Sequence, residues 1–338
     1  MLYQLVRPAL FALDAERAHE LTLELLQHAP RLAGLVMGER RVDAPAQVLG
    51  LRFPNRVGLA AGLDKNGLCL AAWERFGFGF VEVGTVTPRA QPGNPRPRMF
   101  RLPEHGALIN RLGFNNLGME ALAQKLEETR RDYSGVLGIN IGKNAVTPIE
   151  CAADDYLLCL RRLHRYADYV TVNISSPNTR NLRELQNDAA LDALLSAISG
   201  ARRELAQAEG RQAPVLVKIA PDVTDEQLPG MVELARKHGM DGLIATNTTL
   251  SRGGVAGHRH AAEAGGLSGA PLRVRAEQVL RRLRAAAGAD FPLIGVGGID
   301  SGEDALARRA AGADLVQVYT GFIYRGPVLV TECARALA

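Results

Sequence analysis

The chain of 338 residues lacks the features that mark several classes of protein. It has four cysteines, Cys69, Cys151, Cys159 and Cys333, and no two of them form a C-x-x-C pair. We therefore expect no disulfide framework, no structural zinc and no iron–sulfur cluster. No uncharged apolar run approaches the roughly 18–20 residues that span a bilayer, and the N-terminus has no basic segment followed by a long apolar core. These absences predict a cytoplasmic protein that is not integral to a membrane.

The sequence also lacks the clustered positive charge that is typical of nucleic-acid-binding proteins. The formal net charge is only +4, from 40 basic and 36 acidic residues, and no block of five like charges occurs. Such interleaved charge does not indicate a nucleic-acid groove. The balance of 47% hydrophobic and 22% charged residues is that of an ordinary globular protein. His258 and His260 form an H-x-H pair without a third ligand, so we expect no metal there.

From residue 56 onward the sequence repeats one unit: a short apolar run rich in β-formers, a turn bearing Gly or Asn, and an amphipathic helical stretch. Continuous apolar strands separated by helices predict a parallel sheet that is buried on both faces. Eight such units predict an α/β fold of the (β/α)8 TIM-barrel type, with a doubly wound open sheet as the alternative. The predicted strands are Val57–Ala61, Phe80–Thr85, Val136–Ile141, Tyr169–Ile174, Val215–Ile219, Gly242–Thr246, Leu293–Val296 and Leu315–Tyr319.

Residues 1–42 precede the predicted barrel of residues 43–338 and have no place in it. Their apolar residues recur with helical spacing on both sides of Asp14, which predicts two short helices, the first shortened or kinked by Pro8. One interpretation is a helical cap over the bottom of the barrel or a dimer surface. The other is a hairpin whose apolar face contacts a membrane or a lipophilic ligand.

The carboxyl ends of barrel strands meet at one mouth, where the catalytic residues of this fold lie. Three of the five lysines, Lys65, Lys143 and Lys218, fall at these ends, with several amides and hydroxyls. Glycine-rich turns at the mouth let backbone N–H groups approach phosphate oxygens, so we predict a phosphate-bearing ligand. These turns are Gly295–Gly298, Tyr319–Gly321 and the flexible turn Gly265–Gly269.

Other polar side chains at the mouth favour a planar ligand. Lys218 could stabilise negative charge on a bound ring, as a reduced flavin requires, or could pair with a carboxylate such as Asp64. Ser176 could remove a proton from an activated C–H or could cap a helix; no G-x-S-x-G elbow surrounds it. Five asparagines offer donors and acceptors to a ring with carbonyls and N–H groups, although each could be a turn or cap residue. They are Asn110, Asn140, Asn173, Asn178 and Asn247.

Six ordered motifs at the predicted strand ends give the chain a close resemblance to a known family. They are AAGLDK at 60–65, NRLGFNN at 110–116, NIGKN at 140–144, NISSPNT at 173–179, ATNTTL at 245–250 and GGLSG at 265–269. Over essentially its whole length the chain resembles the class 2, quinone-dependent dihydroorotate dehydrogenases. Ser176, where related cytosolic enzymes carry cysteine, and the N-terminal hairpin point to class 2.

The resemblance implies a barrel that holds one FMN and binds dihydroorotate. The implied flavin contacts are Ala61, Gly62, Leu63, Asp64, Lys65, Thr85, Asn140, Asn173, Lys218 and Thr246, with the phosphate at Gly269, Gly298, Tyr319 and Thr320. The implied dihydroorotate contacts are Lys65, Asn110, Arg111, Leu112, Gly113, Phe114, Asn173, Asn178, Asn247 and Thr248. Ser176 is the implied base, and Thr179 and Phe114 would border the water path that carries the proton away.

By the same resemblance, the enzyme would oxidise (S)-dihydroorotate to orotate in de novo pyrimidine biosynthesis. Ser176 would take a proton from C5 while a hydride leaves C6 for the flavin. The electrons would pass to a membrane quinone that enters between the N-terminal helices, near His19, Arg101 and Tyr319. The hairpin would contact the cytoplasmic side of the cell membrane peripherally, and no iron–sulfur partner subunit is expected.

Two other functions compete with this one. A cofactor-free lyase or isomerase of phosphate sugars could use the same fold, but it needs an acid/base carboxylate at the mouth, and Asp64 is the only clear one. A catalytically silent, membrane-associated scaffold is the second alternative. It would have no need of Ser176, Lys65 and Lys218.

Overall fold

The structure, a computed structural model, describes residues 2–31, 33 and 41–338. Eight of its strands are parallel and close into a barrel in the order β3, β4, β7, β8, β9, β10, β12, β13. This closure confirms the predicted (β/α)8 barrel and excludes the open sheet. In chain order the strands are β1 (Ala46–Val48), β2 (Leu51–Phe53), β3 (Val57–Leu59), β4 (Phe80–Val86), β5 (Met99–Leu102), β6 (Ala107–Asn110), β7 (Val136–Ile141), β8 (Tyr169–Asn173), β9 (Val215–Ile219), β10 (Gly242–Ala245), β11 (Gly266–Gly269), β12 (Leu293–Val296) and β13 (Leu315–Val318).

The barrel strands match their predicted positions except at a few ends. The strand β3 stops at Leu59, two residues before the predicted end, and β4 continues one residue further, to Val86. Every residue of the eight strands is buried. One face fills the barrel and the other packs beneath helices, which is why these strands read as continuous apolar runs rather than alternating ones.

Helices alternate with the strands around the barrel. The amphipathic stretches of the repeated unit form helices such as α6 (Asp188–Glu209), α7 (Gln227–Lys237) and α8 (Arg273–Ala287), and residues 182–186 form a separate 3₁₀ turn before α6. In chain order the helices are α1 (Leu2–Ala12), α2 (Ala15–His28), α3 (Leu70–Arg75), α4 (Met119–Thr129), α5 (Ala152–Leu163), α6 (Asp188–Glu209), α7 (Gln227–Lys237), α8 (Arg273–Ala287), α9 (Gly302–Ala310), α10 (Thr320–Arg325) and α11 (Val328–Ala336).

The bottom of the barrel is closed by a β-hairpin. Strands β1 and β2 pair in antiparallel fashion, with Ala46 opposite Phe53. The Phe53 ring packs edge-on against Phe80 at 5.2 Å between centroids, within a cluster that fills the lower barrel interior. The interpretation of the N-terminal helices as a cap over the barrel bottom is therefore wrong.

A second sheet stands outside the barrel. Strands β11, β6 and β5 are antiparallel neighbours, and Asn110 on β6 pairs with both Met99 and Gly266. The expected flexible turn at Gly265–Gly269 is thus mostly a strand, because partners from distant segments supply the hydrogen bonds that its glycine-rich sequence does not predict. This sheet carries Asn110 and Gly269 to the edge of the mouth.

Helix α1 packs against α10, near the mouth, and α2 packs against β5. The Tyr3 hydroxyl donates to the carbonyl of Ile323, and Arg7 Nη1 donates to the carbonyl of Tyr324 at 2.9 Å. Helix α1 continues through Pro8, so the predicted shortening is not observed.

Asp14 separates the two helices and begins the second. Its carboxylate accepts from the backbone N–H groups of Glu16 and Arg17, both at 3.0 Å, and so caps α2. Of the predicted extension 1–42, residues 1, 32 and 34–40 lie outside the described residues. In the part of the chain that is described, no helix combines the length and the apolar character needed to cross a membrane.

Candidate active site

A cavity of about 940 Å³, partly open to solvent, lies at the carboxyl ends of the barrel strands. We call it the mouth cavity. It brings Ser176, two lysines, the asparagines and the glycine turns around one space. The predicted site residues that line it are Ala61, Gly62, Lys65, Thr85, Asn110, Leu112, Gly113, Phe114, Asn173, Ser176, Asn178, Lys218, Thr246, Asn247, Thr248, Gly269, Gly298, Tyr319 and Thr320.

Thr85, Asn140 and Asn173 form one hydrogen-bonded group beside the mouth cavity. Thr85 Oγ1 donates to Asn140 Oδ1 at 2.5 Å. Asn173 Nδ2 donates to Thr85 Oγ1 at 2.9 Å and to Asn140 Oδ1 at 3.1 Å. The three side chains come from the neighbouring strands β4, β7 and β8: Asn140 is paired with Gly84, next to Thr85, and with Thr171, two residues before Asn173. Asn140 does not itself line the cavity and acts on it through the other two residues.

The opposite side of the mouth cavity carries polar atoms that lack partners. Asn178 Nδ2 donates to Asn110 Oδ1 at 3.3 Å, and Asn247 Nδ2 donates to Ser175 Oγ at 3.0 Å. Asn178 Oδ1 and Thr248 Oγ1, however, are buried and have no partner in the described part of the chain. Because buried polar atoms are normally hydrogen-bonded, these two mark places where a polar ligand would complete the site.

Ser176 lies on the connection between β8 and α6 and is only 5% exposed. Its Oγ accepts from the backbone N–H of Asn178 at 3.2 Å. No helix begins here: the next turn starts at Leu182 and α6 starts at Asp188. The interpretation of Ser176 as a helix cap is therefore wrong. Its hydroxyl proton remains available, since no acceptor for it occurs among the described residues.

Two lysines supply positive charge to the mouth cavity. Burial lowers the pKa of Lys218, at the end of β9, and the charge of Glu82 partly opposes this effect. Burial lowers the pKa of Lys65 to about 8, Arg98 adds to the decrease, and the carboxylate of Glu16 opposes it most. Within the described residues neither lysine forms an ion pair, so the alternative pairing of Lys218 with a carboxylate such as Asp64 is not observed.

Asp64 is turned away from the mouth cavity. Its carboxylate accepts from the backbone N–H groups of Leu68 and Cys69 and from Trp73 Nε1, all at 2.9 Å. Complete burial raises its pKa, and these hydrogen bonds oppose the increase. Asp64 therefore fixes the loop before α3. Because no carboxylate from the described residues lines the cavity, the acid/base lyase alternative loses its candidate group.

Three other predicted mouth residues also lie outside the cavity. Leu63 faces a separate apolar cavity. The Arg111 guanidinium pairs with Glu263 at 2.7 Å and lies 4.8 Å from the centre of the Phe100 ring. Lys143 Nζ donates to two carbonyls of its own loop at 2.9 and 2.6 Å. The charges of Arg111 and Lys143 thus hold loops in place.

Gly269 and Gly298 form a part of the cavity wall that admits no side chain. A Cβ at Gly269, where φ is +94°, would lie 2.2 Å from the carbonyl oxygen of Gly106. A Cβ at Gly298, where φ is +72°, would lie 2.5 Å from Arg273 Cα. Both positions therefore require glycine, and because both line the cavity, their backbone can approach a bound anion closely. Next to them Thr320 Oγ1 donates to Ser268 Oγ at 2.8 Å.

Ser268 and Gln317 line the mouth cavity but were not selected from the sequence as site residues. Gln317 Nε2 donates to Glu82 Oε2 at 2.9 Å, whereas Gln317 Oε1 is buried without a partner in the described chain. Gln317 could have been recognised from the sequence, because Glu82 and Gln317 are polar residues inside otherwise apolar strands. Such residues must find polar partners in the interior.

An apolar cavity of about 1760 Å³ lies between the N-terminal helices and the barrel, and we call it the hairpin cavity. Its lining includes His19, Arg101 and Tyr319. Burial, together with the charge of Lys65, lowers the pKa of His19 to about 3, so the imidazole is neutral near pH 7. The Arg101 guanidinium lies 4.7 Å from the centre of the Phe11 ring. Tyr319 lines both cavities and therefore stands between them.

Comparisons with known proteins show the family to which this chain belongs. A family model described as dihydroorotate dehydrogenase matches residues 44–338. The chain is 60% identical to a dihydroorotate dehydrogenase (quinone) of Leptothrix cholodnii, over 99% of this chain and 98% of that protein. It is 59% identical to the enzyme of the same name from Paraburkholderia phymatum, over 100% of this chain and 98% of that protein.

A solved structure shows the same fold. The crystal structure of DHODH from Eimeria tenella in complex with ferulenol superposes with a TM-score of 0.88 at 38% identity, covering 95% of this chain and 90% of that chain. The family match contains the whole barrel, and the full-length relatives also include the N-terminal helices. The chain therefore belongs to the dihydroorotate dehydrogenase family and, within it, to the quinone-dependent enzymes.

Proposed function

We propose that this dihydroorotate dehydrogenase works with FMN held in the mouth cavity, with Ser176 as its base, and that quinone reacts in the hairpin cavity. One observation carries the proposal. A polar cavity with lysines, amides and glycine turns adjoins a large apolar cavity, and Tyr319 borders both. A polar substrate and a lipophilic acceptor can therefore approach the same region from different sides.

The residues of the mouth cavity fit FMN at both of its ends. Gly269 and Gly298 both line the cavity, and without a Cβ their backbone can come close to a phosphate. Toward the barrel axis, Lys218 supplies a buried positive charge, and Gln317 Oε1 accepts from no donor among the described residues. Bound FMN would supply the hydride acceptor that amino-acid side chains cannot provide.

The remaining polar residues would bind the substrate. With a pKa of about 8, Lys65 is mostly protonated at neutral pH and can attract the carboxylate of dihydroorotate. The unpartnered atoms Asn178 Oδ1 and Thr248 Oγ1 would accept hydrogen bonds from a ring bearing N–H groups. Such contacts would hold the substrate in one orientation, which is a large part of catalysis in a closed site.

Ser176 would take the proton from C5 of the substrate. A hydroxyl is a weak base, so its own proton must leave as the new one arrives. Thr179, three residues further on, has a buried hydroxyl without a partner in the described chain, which suits it to pass that proton outward. The nearly buried position of Ser176 keeps bulk water from competing for the same site.

The N-terminal helices would bind the quinone and contact the membrane surface. The lining of the hairpin cavity is almost entirely aliphatic and aromatic, as a lipophilic ring and tail require. The same helices expose apolar side chains to solvent: Leu5 lies outside the cavity lining, and Val6, Leu21 and Leu25 belong to the lining but remain exposed. Exposed apolar side chains on short amphipathic helices favour peripheral contact with a bilayer, and we propose its cytoplasmic side.

Anaerobic mixing of the purified protein with dihydroorotate tests this proposal. We expect a yellow protein whose flavin absorbance bleaches on mixing and returns when a short-chain quinone is added. A colourless protein that takes up no FMN would refute the flavin assignment. In a variant that fills the hairpin cavity, Ala18→Phe, bleaching should proceed as before while reoxidation by quinone slows. Equal slowing of both phases would refute the separation of the two sites.

A further inference from the structure

Glu82 is a fully buried carboxylate on β4 for which the steps above give no role. Asn140 Nδ2 donates to its Oε1 at 2.7 Å. Tyr169 Oη, Gln317 Nε2 and Thr171 Oγ1 reach its Oε2 at 2.9, 2.9 and 3.2 Å. All four neighbours can donate, and the two amide nitrogens can only donate, so the surroundings suit an ionised carboxylate. Within the described residues no basic group lies at ion-pair distance from it.

The carboxylate determines how the neighbouring amides are turned. An ionised carboxylate only accepts hydrogen bonds, so Asn140 presents Nδ2 to Glu82 and leaves Oδ1 for Thr85 and Asn173. Asn173 must then point Nδ2 toward that pair, and its Oδ1 accepts from Ser175 at 3.0 Å. Glu82 binds Asn140 directly, and through Asn140 it fixes which atoms of Thr85 and Asn173 donate and which accept on one wall of the mouth cavity.

Gln317 is oriented in the same way from the opposite side. Its Nε2 donates to Glu82, which leaves the amide oxygen Oε1 as the polar atom without a partner in the described chain. Because the Gln317 side chain lines the cavity, this oxygen can accept a hydrogen bond from a ligand. Across the barrel, Lys218 carries a buried positive charge that the charge of Glu82 stabilises. Reduction of a flavin adds negative charge to its ring. The balance between Lys218 and Glu82 therefore bears directly on how readily a ring in this cavity is reduced.

We propose that Glu82 is a positioning residue that sets the reduction potential of the bound flavin, by orienting Asn140, Asn173 and Gln317 and by balancing the charge of Lys218. This inference rests on the proposed function, because it requires a flavin in the mouth cavity.

The variant Glu82→Gln tests the inference, since it removes the charge and turns one acceptor into a donor with little change of volume. We expect the midpoint potential to become more positive, because Lys218 is no longer balanced. At fixed ambient potential the ratio of reduced to oxidised flavin should rise about tenfold, which corresponds to about 30 mV for a two-electron couple. FMN affinity, measured by fluorescence titration of the apoprotein, should fall. Dye-equilibrated anaerobic titration gives the potential.

Two variants separate this role from general damage to the core. The double variant Glu82→Gln/Gln317→Glu returns one negative charge to the neighbouring position, so the potential should move back toward that of the parent protein. Asp155→Asn is the matched control: it also replaces a buried carboxylate, one that accepts from the backbone N–H of Asn144 at 2.8 Å outside the cavity lining. Its potential should equal that of the parent.

The outcomes are distinguishable from those of the proposed function. If Glu82→Gln binds FMN with unchanged affinity and unchanged potential, the role of Glu82 is refuted while the flavin assignment stands. If the parent protein takes up no FMN, the proposed function itself fails. Should Glu82→Gln not fold, Glu82→Asp keeps the charge but withdraws it by one CH2 group. A parental potential and affinity in that variant would overturn the inference in the same way.

Discussion

The mouth cavity and the hairpin cavity share Tyr319 and differ in how they treat polar groups. In the mouth cavity the direction of the hydrogen bonds is fixed: Asn140 donates to Glu82, and Asn173 donates to Asn140. In the hairpin cavity the few polar groups are neutralised or already engaged. His19 has a pKa of about 3, and Arg101 Nη1 donates to the carbonyl of Leu10 at 3.2 Å. The mouth cavity can therefore select a ligand by the arrangement of its donors and acceptors, whereas the hairpin cavity can select one by its apolar character.

The largest expected effect belongs to the mouth cavity alone. In Ser176→Ala the flavin should still bind, because Ser176 contributes one small side chain among many lining residues. Its reduction by dihydroorotate should slow about 10²- to 10⁴-fold, the range for loss of a general base. Stopped-flow absorbance under anaerobic conditions measures this rate.

Reoxidation of the same variant by quinone provides the internal control. In the proposed function the electrons leave through the hairpin cavity, which Ser176 does not line, so the reoxidation rate should equal that of the parent. Unchanged reduction by dihydroorotate would remove Ser176 as the base. Slowing of both half-reactions would show that the two cavities are not chemically separate.

The sequence predicted the barrel well because each of its strands is buried on both faces and reads as an uninterrupted apolar run. Prediction failed where pairing depends on distant partners. Strand β11 contains four of the five residues of a glycine-rich motif and becomes a strand because β6 lies beside it. The hairpin of β1 and β2 is short and covers the barrel bottom, a role that no local pattern indicates.

For the site, the sequence predicted which residue types meet at the mouth but not which way each side chain turns. Asp64, Leu63 and Arg111 belong to the motifs that carry the resemblance, yet Asp64 binds backbone N–H groups and Arg111 pairs with Glu263. Adjacent residues on a loop point in different directions, so a motif identifies a segment more reliably than it identifies a contact. Glu82 was overlooked because no motif contains it, although a charge within an apolar strand was visible.

Glu16 connects the N-terminal helices to the mouth, and its replacement has the next largest expected effect. It lies on α2, yet its carboxylate pairs with the buried Arg98 at 2.7 Å, and Arg98 Nη1 in turn holds the carbonyl of Asn94 at 2.8 Å. Asn94 Nδ2 donates to the carbonyls of Arg111 and Asn178 beside the mouth. Glu16→Gln should lower the free energy of unfolding by about 3 kcal/mol, since it leaves a buried guanidinium without its counter-charge. Denaturant unfolding measures this change.

Glu20→Gln is the matched control for Glu16→Gln. Glu20 lies one turn further along α2 and pairs with Arg96, but both side chains are at least half exposed. Its loss should cost less than about 1 kcal/mol. Equal effects of the two variants would mean that the helices are held by their apolar contacts alone. A larger effect of Glu16→Gln would show that the Glu16–Arg98 pair holds α2 to the segment that leads to the mouth.

The smallest expected effect is a pH dependence that distinguishes the cavities. Lys65 has a pKa lowered to about 8, so the affinity for dihydroorotate should be constant below pH 8 and should fall above it, as the ammonium loses its proton. The loss approaches tenfold, about 1.4 kcal/mol, for each further pH unit. Anaerobic isothermal calorimetry between pH 6 and 9.5 measures it in the slowly reacting Ser176→Ala variant, and constant affinity up to pH 9.5 would contradict it. Because the charge of Glu16 raises the pKa of Lys65, Glu16→Gln should move the onset to lower pH. His19, with its pKa of about 3, should add no pH dependence to the quinone step over the same range.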